Sequence, residues 1–362
     1  MTRSFSIGPF PLDPAQPPLF LAEIGSYFNG DVALAAQMIR QVIAARDAVP
    51  ELPLVLKTEI LDDPEICLPG DTTETYAAKD GRTRVENYRA LIERKVVPLQ
   101  DYAGLFRLCT DAQVPFVVSV YDFRAADFAA DHGASALKIA SSNLVHVPLI
   151  RHVARKGLPM LIDTGRSTIA EVHRAVATAR AAGCEDIVIQ HSPDGHPALP
   201  KAHNLRIMQT YLQAFGLPVG LSDHHVGVEM LYMSVALGAT LLEKGVHVDA
   251  DELDQDISHS MAIDDLPRVM RTVHDCWLAL GKPARDPAAR IEGVIGTSQR
   301  QCVVARRDLE PGDTISLDTV RFAFPCRGIP VEYWDLVEGW RVTARVPAGS
   351  PVGWQHVQHQ PG

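Results

Sequence analysis

The stretch GLPVGLSDHHVGVEMLYMSVALGATLLEKGVHVD (216–249) decides the fold. Gly216 and Gly238 mark turns, and each leads into a short apolar run, PVGLSD (218–223) and TLLEKGVHV (240–248), that reads as a buried strand. Six further runs of the same kind lie upstream: LFLAEI (19–24), LVLKTE (54–59), FVVSVY (116–121), ALKIAS (136–141), PMLIDT (159–164) and DIVIQH (186–191). Helical patterns such as DVALAAQMIRQVIAAR (31–46) and TIAEVHRAVATARAA (168–182) separate them. Strands in series with helices, apolar on both faces, predict an α/β chain with a closed parallel (β/α)8 barrel over residues 1–284.

Two segments depart from that alternation. The connection from Ile60 to about Val97 is too long for an ordinary loop. It follows the second strand and so falls on the catalytic face of a barrel, where insertions shape a substrate site or a lid. After a last helix over 266–281, residues 285–297 read as a linker. Residues 298–362 read as a small β-rich module, with β-branched runs broken by PGD and AGSP turns.

The formal net charge of −10 over 362 residues argues against nucleic acid or anionic lipid as the main partner. An anionic substrate must then be held by a local group of cations. Six scattered cysteines without a CxxC pair predict unpaired thiols in a reducing compartment. The N-terminus lacks a signal-like apolar core and no run is long enough to span a bilayer, so a cytoplasmic location is expected.

Catalytic groups of a barrel sit where its strands end. Here those ends carry Glu23, Lys57 with Glu59, Ser119, Lys138 with Ser141, Asp163, His191, Ser222 with Asp223 and His224, and Glu243 with Lys244 and His247. Buried unpaired, each would cost several kcal/mol, so they satisfy one another or a ligand. A ring of internal salt bridges is the bland alternative. Lys57 and Lys138, with the hydroxyls of Ser119, Ser141 and Ser222, suit a phosphate or carboxylate. Glu23 could move a proton, and His224 with His247 could bind a metal that polarises a carbonyl.

The segments AEIGSYFNGD (22–31), LKIASSNLVHVPLIRH (137–152), LIDTGRSTIAEV (161–172), GLPVGLSDHHVGVE (216–229), ALGATLLEKGVHVD (236–249) and SHSMAIDDL (258–266) resemble the N-acetylneuraminate (sialic acid) synthases and their legionaminic and pseudaminic acid relatives. The tail, RQCVVARRDLEPGDTIS with RGIPVEYWDLVEGW, resembles the antifreeze-like (SAF) domain that follows the barrel in that family. The resemblance implies condensation of phosphoenolpyruvate with an open-chain N-acylated hexosamine, aided by Mn2+ or Mg2+. It places Lys57, Ser119, Lys138, Ser141 and Ser222 on phosphoenolpyruvate, Glu23 as the acid/base, His224 on the metal and Asp256 on the sugar. Glu59, Asn143, Asp163, Arg166, Asp194, His196, Lys244 and Arg327 fall around the substrates. It also implies a swapped homodimer in which one SAF domain covers the partner's barrel and lends an arginine.

The chain departs from the family pattern at several of these positions. EKHFT becomes EKGVH, so the second metal-binding histidine is Gly245, and His247 is the expected substitute. STGM becomes DTGR, so Asp163 would repel phosphate unless Arg166 or a lysine neutralises it. INHNG becomes SYFNG, KFQ becomes KTE with Glu59, and CTSEYP becomes HSPDGHP with Asp194 and His196. The tail arginine of RPGxGI is Phe324, with Arg327 nearby. These changes predict a divergent synthase with another acceptor. A silent sugar- or partner-binding homologue and a barrel aldolase using Lys57 or Lys138 as a Schiff-base amine are the alternatives.

Overall fold

The computed structural model describes residues 5–249, 253–283 and 300–359, and the expected linker lies outside them. The chain divides into two compact units, Met1–Gly281 and Lys282–Gly362.

The first unit is a closed parallel barrel of eight strands, each at its predicted place. They are β1 (Leu19–Gly25), β2 (Leu54–Ile60), β3 (Phe116–Val120), β4 (Ala136–Ile139), β5 (Met160–Asp163), β6 (Ile187–His191), β7 (Val219–Asp223) and β8 (Leu241–His247). Neighbours pair in chain order, and β8 closes the sheet onto β1 from Leu241–Leu19 to Gly245–Glu23. The helices form an outer layer. Val32–Asp47 starts at Asp31, whose carboxylate accepts from the N–H groups of Ala33 and Leu34. Ile169–Ala181 starts at a capping box between Thr168 and Glu171.

A period of two sorts each strand. Leu19, Leu21, Val55, Val117, Ala136, Leu161, Val188 and Leu241 form one apolar cluster inside the barrel, which Ile7 and Leu12 of the N-terminal segment join. The alternate residues, such as Phe20, Leu54, Val118, Ile162, Ile189 and Leu242, pack outward against the helices. Counting on by two from the inner set reaches Glu23, Lys57, Glu59, Ser119, Lys138, Asp163, Gln190 and Glu243. The floor of the barrel is therefore oily and its mouth ionic.

The same count corrects three expected members of the ring. His191, Asp223 and Lys244 fall on the outward parity. The Lys244 ammonium, fully buried, pairs with Asp223 Oδ2 at 2.8 Å and donates to the carbonyl of Gly227 at 2.8 Å. The His191 ring contacts the carbonyl of His203. These groups tie β6, β7 and β8 to the loops that follow β6 and β7 and do not line the mouth.

The long connection after β2 carries a hairpin (Thr73–Ala77 with Thr83–Asn87) and the helix Tyr88–Lys95. Its turn residue Lys79 donates to the carbonyls of Ser258 and Ser260. Lys95 pairs with Asp254 at 2.6 Å, and Arg94 donates to the carbonyl of Leu253 at 2.8 Å. The insertion is thereby pinned to the segment that follows β8.

The second unit has its own core of Val303, Leu309, Ile315, Val320, Ile329, Val342 and Val352. Its strands are short: Cys302–Ala305 pairs with Val320–Ala323, and Arg341–Val342 with Val357–Gln358. All six cysteines are free thiols. Among the described residues no helix is long and apolar enough to cross a membrane.

Replacing Lys244 by Met strands the Asp223 carboxylate in the interior. The variant is expected to lose about 3–5 kcal/mol in urea unfolding, whereas a loss below ~1 kcal/mol contradicts a bracing role.

Candidate active site

Glu243 stands at the centre of the mouth. Its Oε1 accepts from Lys57 Nζ at 2.9 Å and from Lys138 Nζ at 2.7 Å. Its Oε2 accepts from Lys138 at 2.8 Å and from Gln190 Nε2 at 2.8 Å. Lys57 also contacts Glu23, and Lys138 reaches Asp163 Oδ2 at 2.9 Å and Ser222 Oγ at 3.3 Å. A cavity of about 190 Å³ opens above this cluster, lined also by Ser119, Ser141, His196, His224, Asp256 and His259.

Burial and pairing set the charges. Burial would raise the Glu243 carboxyl, but the two ammonium groups outweigh it and hold its pKa far down. Burial would lower both lysines, yet Glu23 and Glu243 hold Lys57 up, and Asp163 and Glu243 hold Lys138 up. Both remain ammonium ions at neutral pH. Glu23 goes the other way: burial, only partly offset by Lys57, pushes its carboxyl up to about 8. With Glu23 protonated, two cations face the carboxylates of Glu243 and Asp163. The buried hydroxyl of Ser119 has no hydrogen-bond partner there and is free to meet a ligand.

Asp163 is neutralised by Lys138 and accepts from Ser192 Oγ at 2.5 Å. Arg166 does not neutralise it: its guanidinium, 79% exposed, sits 3.6 Å from Asp194 in the loop beyond. Ser141 Oγ accepts from the N–H of Gly165, tying the ends of β4 and β5 together. Arg327 belongs to the second unit, where its N–H donates to Cys302 Sγ.

A larger chamber of about 540 Å³ adjoins the first and shares Glu59, Tyr121, Ser142, Gln255 and Asp256 with it. The insertion builds its far wall from Leu61, Ile66, Leu91 and Ile92, and Asn143 lies opposite with its amide unpartnered. Glu59 is fixed at the junction, accepting from Tyr121 Oη at 3.0 Å and Ser26 Oγ at 3.3 Å. An anion grip beside a roomier, half-apolar chamber suits two substrates that meet at their junction.

On the wall of the smaller cavity three imidazoles converge, from the loop after β6 (His196), the end of β7 (His224) and the turn after β8 (His259). One ring nitrogen of each lies within 4.8 Å of the others. The ring centroids are 4.2 Å apart for His196–His224 and 4.7 Å for His224–His259. Burial holds the His224 pKa well below the usual value and His259 at about 3, so both rings are neutral. This trio could hold a divalent cation. His247, the expected partner of His224, is not part of it: it does not line that cavity, and its Nδ1 bonds Ser260 Oγ at 2.7 Å. Sequence reading missed Gln190, which the period-two count finds, and His259, whose turn has no periodicity to read.

The NeuB family matches residues 57–285, and the SAF domain matches residues 300–358. The N,N'-diacetyllegionaminic acid synthase of Legionella pneumophila is 28% identical over 347 residues, covering 93% of this chain and 94% of its own. The N-acetylneuraminate-9-phosphate synthase of Mus musculus is 28% identical over 360 residues, covering 94% and 93%. In fold, the chain is similar to the crystal structure of an N-acetylneuraminic acid synthetase from Leptospira borgpetersenii. The TM-score is 0.69 at 21% identity, over 80% of this chain and 94% of that one. With its barrel, its ionic mouth and its C-terminal SAF domain, this chain belongs to the NeuB family.

Proposed function

We propose that the protein condenses phosphoenolpyruvate with the aldehyde of an open-chain N-acylated hexosamine or related aldose, giving a nonulosonic keto-sugar acid and phosphate. The observation that carries this reading is the pair of buried ammonium groups, Lys57 and Lys138, converging on Glu243 beside the unpartnered Ser119 hydroxyl. They are a ready site for the carboxylate and phosphate of the donor. The enol carbon then attacks the aldehyde held over the junction near Glu59 and Asp256. A divalent metal held at His224 would supply Lewis-acid polarisation of the aldehyde oxygen. Water adds to the oxocarbenium carbon, and Glu23, which takes a proton near neutrality, serves as its base. The tetrahedral adduct collapses and phosphate leaves with the bridging oxygen.

The two lysines, held as ammonium ions, weigh against the Schiff-base aldolase, which needs a neutral amine. The silent-homologue reading draws on Asp163, since its charge competes with phosphate for Lys138. By resemblance we also propose the swapped homodimer, with Arg327 of the SAF domain serving the partner's barrel.

Incubation with phosphoenolpyruvate, a panel of divalent metals and N-acyl hexosamines should release phosphate only when donor, metal and acceptor are all present. No release from metal-loaded protein with any acceptor would favour the silent homologue. Because Glu23 must be ionised to act as a base, kcat/KM should climb with pH through about 8. Glu23→Gln should flatten that limb and cost roughly 10²–10⁴-fold; an unchanged profile rules the role out. Asp163→Ser should lower the KM for phosphoenolpyruvate about tenfold, about 1.4 kcal/mol, and a higher KM would mean that the carboxylate itself is needed.

A further inference from the structure

We propose that His196, His224 and His259 form a tris-imidazole site for a borderline transition metal such as zinc or cobalt, replacing the two-histidine arrangement that the family pattern places at 224 and 245. The inference deepens the proposed function but stands on geometry, so metal binding tests it without any turnover.

The position at 245 is closed to a ligand. A Cβ built on Gly245 would lie 2.5 Å from Tyr27 Oη and 3.3 Å from Ser260 Cβ. The Tyr27 ring also lies against Gly25, whose φ of +49° suits glycine, so two glycines cradle the tyrosine. Tyr27 thus occupies the room that a histidine at 245 would need. His247 is no substitute, because it lies outside the three-histidine cluster and does not line the cavity.

The three histidines meet what a metal requires. They come from successive strand ends and line the cavity that holds Lys57 and Lys138. His196 Nδ1 bonds Asp256 Oδ1 at 2.8 Å, which leaves Nε2 as its ligand atom and supplies the carboxylate behind a metal-bound imidazole. The Nδ1 atoms of His224 and His259 are buried and have no hydrogen-bond partner. Zinc–imidazole bonds of about 2.0–2.1 Å need the nitrogens to draw closer than 4.8 Å. His196, the most exposed of the three, is the ring whose shift would close that gap. An all-imidazole set favours zinc, cobalt or iron, whereas magnesium prefers oxygen ligands and retains water. With only three protein ligands, a coordination position stays open for substrate, the mark of a catalytic site.

The test is metal binding by the full-length protein after chelator treatment. Zinc or cobalt should bind at one per chain, with cobalt giving a visible absorption band of low-coordinate nitrogen ligation, and magnesium should not compete. His196→Ala and His259→Ala should each weaken cobalt binding more than Asp256→Asn, for which about 10–100-fold is expected. His247→Ala should leave it unchanged, with circular dichroism confirming that each variant is folded. Tight binding retained by both His196→Ala and His259→Ala, loss in folded His247→Ala, or no uptake by wild type overturns the proposal. Normal uptake without phosphate release would sink the proposed reaction and leave this site standing.

Discussion

The mouth of the barrel depends on one buried carboxylate. Glu243 bridges Lys57 and Lys138, which come from β2 and β4, while Gln190 of β6 fixes its second oxygen. Without it, two ammonium groups would confront each other in a cavity that screens charge poorly. With it, residues of four strands are tied together at one carboxylate. Glu243 reaches Lys57 across 186 residues of sequence only because β8 closes onto β1, which pairs with β2. The closure of the sheet and the assembly of the anion grip are one event.

That coupling explains what the sequence disclosed and what it withheld. The eight strands were legible because a parallel barrel strand is buried on both faces and reads as a short apolar run. The same double burial hid which side each polar residue takes. His191, Asp223 and Lys244 looked like site residues for this reason, and Gln190 went unnoticed beside His191. Only a count by two from the apolar floor separates the faces, and that floor is known once the barrel is closed. The candidate metal ligands were hidden differently. His259 sits in a turn after β8, and Tyr27 meets Gly245 across more than two hundred residues, so no local pattern links them.

The departures from the family pattern are distributed unevenly in space. Lys57, Lys138, Ser119 and Ser222 keep the residue types of the family pattern at the proposed donor grip. Glu59 lies where the smaller cavity meets the larger chamber, whose far wall the insertion supplies, His196 lies against His224, and Tyr27 fills the space at Gly245. Asp163 is the one change on the donor side, and Lys138 absorbs its charge. That pattern fits the proposed condensation, with the donor-side residue types kept and the acceptor and metal ends changed.

Attack of the enol carbon followed by water addition breaks the C–O bond of phosphoenolpyruvate, whereas simple phosphate transfer or hydrolysis breaks the P–O bond. Phosphoenolpyruvate carrying ¹⁸O in its bridging position reads the difference by mass spectrometry of the released phosphate. The condensation set out above predicts label in phosphate, formed only when the sugar aldehyde is present. Label retained in the organic product, or phosphate formed equally well without an acceptor, would contradict it.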